Sequence, residues 1–342
     1  MWVKDKVKFA VVGMGHIGNR HAEMIVRHGE AELVAICDTN PKVKARGAYE
    51  VPFFESIEAL LAAGLDIDVI CICSPNGWHK QHALLALEAR KHIVCEKPMA
   101  LNRADCEQII YKSLQVSRQV FCVMQNRYSP PSVWLKELID SGALGKTYMV
   151  QVNCYWNRDD RYYRPQGQPH SWKGLLDMDG GTLFTQFSHF IDILYWLFGD
   201  IDRVQAQFAN FNHQESIAFE DSGIVQFQFV NGGMGCINYS TSVFDQNLES
   251  SLTVIGSKGS VKIGGQYMNE VEYCHVQDYT MPVLAPSNPA NDYGAYKGSA
   301  ANHVYVIENV VDVLKGRKSI STNALEGMKV VEIIEKIYKN KL

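Results

Sequence analysis

Residues 8–21 read KFAVVGMGHIGNRH, an apolar run that meets three glycines and then a segment of helical period. Gly13, Gly15 and Gly18 stand in G-x-G-x-x-G spacing directly after a predicted strand and at the opening of a predicted helix, the context in which this common pattern carries meaning. Gly13 suits the tight turn, Gly15 lets backbone approach a pyrophosphate, and Gly18 lets the helix pack on the sheet. The helix N-terminus adds unpaired N–H groups and positive potential. His16 and Ile17 lie within the same turn. Asp38 ends the next apolar run, ELVAICD, twenty residues past Gly18, and Thr39 follows it. A carboxylate there binds a ribose diol and repels a 2′-phosphate, so the spacing predicts NAD as cofactor in preference to NADP. A glycine turn without any ligand is the competing reading, and it leaves the acid unexplained.

Working outward, KFAVVG, ELVAICD, DVICICS, HIVCE and QVFCVMQ read as fully buried strands separated by helix-period stretches such as HKQHALLALEAR and RADCEQIIYKSLQ. That rhythm predicts an α/β chain with a doubly wound parallel sheet over residues 1–125. Beyond about residue 146 the pattern changes to YMVQVNCYW, RVQAQFANF, GIVQFQFV, GMGCINYS, SLTVIGS and GSVKIGG. These predict an α+β domain over 126–342 with an open, predominantly antiparallel sheet. One helix near 181–198 interrupts the strands, and helical patterns near 301–315 and 323–340 close the chain, the last able to pack back on the first domain. Residues 278–300 read as an extended loop.

At 342 residues and 46% hydrophobic content the chain exceeds one ordinary core, and a net charge of −4 without long like-charge runs points away from nucleic acid and membrane surfaces and toward small molecules. The opening MWVKDKVKFAVVG lacks a signal-peptide pattern, and LFTQFSHFIDILYWLF is interrupted by Gln186, His189 and Asp192, so a cytoplasmic location is expected. Nine scattered cysteines, several inside apolar runs, predict buried packing, and Cys71 and Cys73 form a lone C-x-C that makes a poor metal site; no metal is expected.

Two strand ends carry polar chemistry. CICSPNGWH, residues 71–79, brings Ser74, Asn76 and His79 to the carboxyl edge of the sheet, where open α/β folds bind ligands. They read either as cofactor contacts or as a helix cap built on Asn76. HIVCEKPMA, residues 92–100, brings Glu96 and Lys97 to the same edge, and Gln125 closes QVFCVMQ as a further cofactor candidate. Neighbours in extended chain point oppositely, so one of Glu96 and Lys97 turns inward while the other faces the cleft. A lysine beside an oxidised nicotinamide loses proton affinity and can act as a base; a solvated Glu–Lys pair is the alternative. In DGGTLFTQFSHFIDILYWLFGD, residues 179–200, Leu183, Phe187, Ile191, Leu194 and Phe198 mark an apolar face, while Thr182, Thr185, Gln186, His189 and Asp192 form a polar stripe. A core histidine is the plain reading of His189, and the five-residue stripe argues for a site.

Together the glycine motif, Ser-Pro-Asn, the EKP of 96–98 and the G-G-T-L…H-x-x-D helix of 180–192 resemble the glucose–fructose oxidoreductase/inositol dehydrogenase/MocA-type dehydrogenases over nearly the whole chain. The resemblance implies a Rossmann domain followed by an α/β domain whose open sheet mediates a homodimer or homotetramer. It also implies that Lys97 and His189 act beside a sugar carbinol. Many members carry Asp four residues before the histidine, where this chain has Thr185, so Lys97 and His189 must suffice. MQNRYSP, MVQVNCYWNR, SWKG, NLESSLTVIGSKGSVKIGG and NHVYVIENVV further resemble bacterial UDP-N-acetylglucosaminuronate 3-dehydrogenases, which implies a nucleotide-sugar substrate. Residues 157–173 hold Arg158, Arg161, Arg164, Tyr162, Tyr163, His170 and Trp172, which read as cations for phosphate or carboxylate and rings for stacking, or as a solvated loop. The RPQGQPH within it is longer than the family pattern. Asn126, Arg127, Tyr155, Gln186 and Ser188 are further substrate candidates. A free-sugar or polyol dehydrogenase, and a non-catalytic NAD-sensing regulator, share the cofactor motifs.

Overall fold

The apolar runs of the first 125 residues become one six-stranded sheet in a computed structural model that describes residues 6–45, 49–164 and 172–342. Its strands are β1 (Val7–Val12), β2 (Ala31–Cys37), β3 (Phe53–Phe54), β4 (Val69–Ile72), β5 (His92–Cys95) and β6 (Val120–Cys122). All neighbours are parallel, in the order β3-β2-β1-β4-β5-β6. This is the doubly wound order whose direction reverses between β1 and β4, and ligands bind such sheets at that crevice. β4 is buried at every position, because helices cover both faces of a parallel sheet. The helices between strands are α1 (His16–Arg27), α2 (Ile57–Ala62), α3 (His79–Glu88) and α4 (Arg103–Val116). α1 buries Gly18, His21, Ala22 and Ile25, one stripe at helical period. Asn102 caps α4 by accepting from the Asp105 amide at 2.8 Å.

The second unit starts at Gln125 and contains α5 (Pro130–Asp140), β7 (Thr147–Tyr155), the short helices α6 (Asp160–Tyr163) and α7 (Leu176–Asp179), and α8 (Ser188–Phe198). Its remaining strands are β8 (Ile201–Ala209), β9 (Ser222–Phe229), β10 (Met234–Ser240), β11 (Glu249–Gly256), β12 (Gly259–Gly264), β13 (Glu270–Val276) and the ribbon β14 (Ala290–Asp292) with β15 (Lys297–Ala300). The seven-stranded sheet runs β13-β12-β11-β7-β10-β9-β8 and is antiparallel except where β7 and β10 lie parallel. β9 alternates strictly, with Val225, Phe227 and Phe229 inward and Ile224, Gln226 and Gln228 outward. Trp156 packs edge-on against Phe187 and Phe190, which seats α8 on the inner face.

The chain closes with α9 (His303–Leu314) and α10 (Ala324–Lys339). His303–Val331 groups with the first unit and Glu332–Leu342 with the second. The return to the first unit therefore begins with α9, one helix earlier than the sequence pattern suggested, and the unit boundary cuts α10. Part of the expected loop 278–300 is the β14–β15 ribbon. Among the described residues no helix is long and apolar enough to cross a membrane. Six of the nine cysteines are buried, and burial pushes the Cys71 thiol upward, which suits inert packing.

Candidate active site

In the first unit the three glycines do separate jobs. Gly13 has φ +90°, and a Cβ there would stand 2.6 Å from the Cys73 carbonyl and the Ser74 amide. A Cβ on Gly18 would collide with the Gly13 carbonyl, so helix and strand touch through it. Gly15 has nothing within 4 Å of its Cβ position, which leaves the approach to the N-terminus of α1 clear. His16 is exposed and Ile17 half-buried beside it. Asp38 accepts from the Met14 amide through Oδ2 at 2.7 Å and from the Asn40 amide through Oδ1 at 2.8 Å. The carboxylate is thus fixed against the glycine turn, partly exposed, with Thr39 exposed next to it. Helix dipole, open Gly15 and fixed Asp38 fit a dinucleotide with a free ribose diol. In Asp38→Asn the Michaelis constant for NAD⁺ is expected to rise roughly tenfold while NADP⁺ becomes a usable cofactor, since a charge-assisted hydrogen bond is lost and a repulsion removed. Steady-state titration with both cofactors reads this, and an unchanged NAD⁺/NADP⁺ preference contradicts it.

Glu96 and Lys97 follow β5, and the Lys97–Pro98 peptide is cis. Their side chains diverge as predicted: Glu96 is buried and Lys97 half-buried. Glu96, read from the sequence as a cofactor contact, has its Oε1 2.8 Å from His21 Nε2 on α1. His79, another cofactor candidate, is held by backbone. Its Nδ1 lies 2.7 Å from the Pro98 carbonyl and its Nε2 2.8 Å from the Ser74 carbonyl, so the ring is spent pinning backbone. Burial without any exposed surface lowers the His79 imidazole, against two carbonyl partners that favour the imidazolium. Ser74 Oγ pairs with His82 Nδ1 at 2.9 Å, and Asn76 is buried at the start of the turn before α3.

In the second unit Leu183–Phe187 is a π turn immediately ahead of α8. Such turns insert one residue and re-aim the side chains that follow, and they concentrate at functional sites. Gly181, at φ +125°, has no room for a Cβ against Tyr338, whose hydroxyl accepts from the Leu183 amide at 3.1 Å and donates to Glu220 Oε1 at 2.6 Å. His189 emerges just after the π turn and is 2% exposed. Arg127 donates twice to Asp192, Nε to Oδ2 at 2.8 Å and an Nη to Oδ1 at 2.6 Å, and its guanidinium lies 5.4 Å from the Trp196 ring centre. Asn126 Oδ1 accepts from Ser299 Oγ. Gln125 Oε1, Asn126 Nδ2 and Ser188 Oγ are buried without a hydrogen-bond partner. Buried polar atoms of this kind are rare, and here they lie on the 125–128 turn and at the start of α8, which pack together.

Five substrate candidates are engaged by the protein's own groups or face elsewhere. Arg127 is committed to Asp192. Arg158 is buried and donates to Gln186 Oε1 at 2.7 Å, to Asn247 Oδ1 and to the Asn157 and Lys297 carbonyls, with its plane over Trp156, Tyr162 and Tyr296. Gln186 also donates to the Tyr162 hydroxyl at 2.9 Å. Tyr163 belongs to a buried cluster with Tyr162 and Ile217. Tyr155 points away from α8, because strand alternation places it opposite Cys154 and Trp156. It lines a groove of about 590 Å³ on the outer face of the sheet with Phe208, Ile224 and Asn238. Trp172 is half-buried in the turn before α7, and Arg161 and Arg164 lie outside the buried network, Arg161 paired with Asp159. His170 lies outside the described residues. Sequence reading missed His21, although its place one residue before Ala22 on the buried stripe of α1 marks it as inward.

Residues 7–123 match the family model described as an oxidoreductase family with an NAD-binding Rossmann fold, and 133–262 match the GFO/IDH/MocA C-terminal domain. The chain is similar to the WlbA dehydrogenase of Bordetella pertussis, solved with NADH and UDP-GlcNAcA: 32% identity, 98% of this chain, 96% of that one, TM-score 0.86. It is similar also to the WlbA dehydrogenase of Chromobacterium violaceum, solved with the same ligands: 29% identity, 99% and 94% coverage, TM-score 0.87. An inositol 2-dehydrogenase of Rhizobium meliloti is 26% identical over 96% of this chain and 98% of its own.

Proposed function

We propose, because this chain belongs to the Gfo/Idh/MocA family of NAD-dependent oxidoreductases, that it oxidises the C3 hydroxyl of UDP-N-acetylglucosaminuronate to the 3-keto sugar, for bacterial surface-polysaccharide synthesis. The observation that carries this reading is the likeness, over nearly the full length of both chains, to the Bordetella pertussis protein solved with that nucleotide sugar.

NAD⁺, when bound, supplies the hydride acceptor. Gly13, Gly15 and Gly18 receive its pyrophosphate and Asp38 its adenosine ribose. Lys97 takes the hydroxyl proton of the sugar, and His189 hydrogen-bonds the same oxygen, holding it in place as negative charge develops. Asn126 and Ser188 contribute polar contacts, and Trp172 a ring for stacking. Thr185 has no carboxylate, so no Asp-type relay backs His189 from that position.

The test is NADH formation at 340 nm by the full chain with UDP-N-acetylglucosaminuronate, myo-inositol and glucose in parallel, each with and without a keto acid to reoxidise retained NADH. Turnover of the nucleotide sugar alone is expected. Turnover of myo-inositol alone would install the second reading, a polyol dehydrogenase, which the likeness to inositol 2-dehydrogenases favours. We also propose a homodimer or homotetramer through the seven-stranded sheet, whose outer face leaves Met149, Ile224, Met234 and Ile255 exposed. Sedimentation of the purified chain should give two or four subunits; a monomer at micromolar concentration removes this assembly.

A further inference from the structure

The turn that carries Lys97 is held from two sides by side chains that the reaction itself does not use. On one side Glu96 is buried at 6% exposure. Its Oε1 meets His21 Nε2 at 2.8 Å and lies 3.6 Å from His303 Nε2, while its Oε2 accepts from the Lys97 amide at 3.3 Å. The Glu96 amide in turn donates to the Ile72 carbonyl at 3.0 Å. On the other side His79 pins the Pro98 carbonyl. His21 comes from α1, the helix that opens at the glycine turn, and His303 is the first residue of α9; the two rings meet edge to face at 5.6 Å. One carboxylate therefore brings two segments, 75 and 207 residues from Glu96 in sequence, to the peptide of Lys97.

His21, Glu96 and His303 also have the composition of a metal site, with ligand atoms within 4.8 Å of one another. Two features favour hydrogen bonding instead. The 2.8 Å contact is a hydrogen-bond length, and the Nδ1 atoms of both rings lack acceptors, whereas a metal-bound imidazole donates its second N–H to a carbonyl or carboxylate. Burial alone would raise the Glu96 carboxyl, but the hydrogen bond from His21 and the nearby His303 ring outweigh it and hold the group well below the usual carboxylate range. Burial lowers the His303 imidazole against the pull of Glu96, with Arg20 lowering it further. The other groups facing Glu96 are the Cys71, Cys73 and Cys95 thiols, all raised first by burial, together with His79 and Lys97 itself. None of these supplies a second anion near neutral pH.

We propose that Glu96 is a positioning residue: a buried anion, clamped by His21 and His303, that fixes the Lys97 peptide and sets a permanent negative charge one residue from the Lys97 ammonium group. The inference rests on Lys97 being the base of the proposed reaction. In that role the anion keeps Lys97 basic enough to hold the proton it removes, and the clamp keeps its direction constant through the cycle.

The experiment follows the ¹⁵N signal of the Lys97 side chain in lysine-labelled full-length protein, assigned by its loss in Lys97→Met. In Glu96→Gln the Lys97 titration should move down by about one pH unit, as expected for removing the negative charge of the neighbouring residue. The rising limb of the kcat–pH profile should move with it, kcat at neutral pH should fall roughly tenfold to a hundredfold, and NADH affinity should stay within about threefold. A purely structural residue would lower stability and leave both titrations in place, and that result overturns the proposal. Glu96→Asp keeps the charge but shortens the reach. There the titration should hold while kcat falls, and an unchanged kcat counts against the clamp even if the Gln variant does not fold. About one equivalent of zinc or iron in the purified wild type would overturn the proposal in favour of ligation. If Lys97→Met retains turnover while the Lys97 titration still follows Glu96, the base assignment fails and the coupling stands.

Discussion

Lys97→Met leaves NADH binding unchanged within about threefold and lowers kcat by roughly 10²–10⁴, the range by which a positioned base contributes to proton transfer. Three observations set this expectation. Lys97 follows β5, at the carboxyl edge of the sheet where this topology binds ligands. It is half-buried, while its neighbour Glu96 turns inward and takes the scaffold role. Its backbone is held on both sides, by Glu96 and by the His79–Pro98 bond. Methionine preserves the length and most of the apolar stem, so packing should survive and the loss should fall on kcat. The measurement pairs fluorescence titration of NADH with initial rates on the preferred sugar. Near-normal kcat removes Lys97 from the chemistry, and a collapse of NADH affinity moves its role to cofactor binding.

The second large effect is on stability. Asp192→Ala strips the counter-charge from Arg127, whose side chain is 4% exposed, from a carboxylate that is 1% exposed. A buried ion pair is weak evidence of net stabilisation, but removing one partner leaves a guanidinium in a low-dielectric site, at a cost of about 3–5 kcal/mol. A unit of this size should then melt roughly 10 °C lower. Asp192 sits three residues after His189, on the same face of α8, so the fork also fixes the rotation of that helix. Turnover should therefore fall even at temperatures where the variant is folded. Scanning calorimetry with rates at 20 °C separates the two effects. The double change Arg127→Met with Asp192→Leu should recover most of the stability, since no charge is left buried. A loss below 1 kcal/mol in Asp192→Ala would show that water reaches Arg127.

Much of the predicted site was legible where the signal is local. Gly13 and Gly18 declare themselves because only a residue without Cβ fits the left-handed turn and the strand contact. The polar stripe of 182–192 does meet polar partners: Thr182 the Glu220 carbonyl, Gln186 the Arg158 guanidinium, and Asp192 the Arg127 fork. Outside the stripe, partner identity was not legible. Arg127, Arg158 and Tyr163 read as substrate contacts, and each is buried against the protein's own acceptors and rings. The π turn left no trace in residue type, since an inserted residue changes the phase of a helix without changing its composition.

What the sequence by itself determined was the local geometry: buried parallel strands, the glycine turn, the switch to alternating strands, and the family pattern across nearly the whole chain. These depend on sterics and periodicity within a few residues, and such forces act before any distant segment arrives. Only the tertiary structure decided which polar groups are spent on the scaffold and which face a ligand. Arg127 meets Asp192 across 65 residues and His21 meets Glu96 across 75. No periodicity spans such distances; the pairing is chosen by burial, which forces each charge that leaves water to find a partner wherever the fold delivers one.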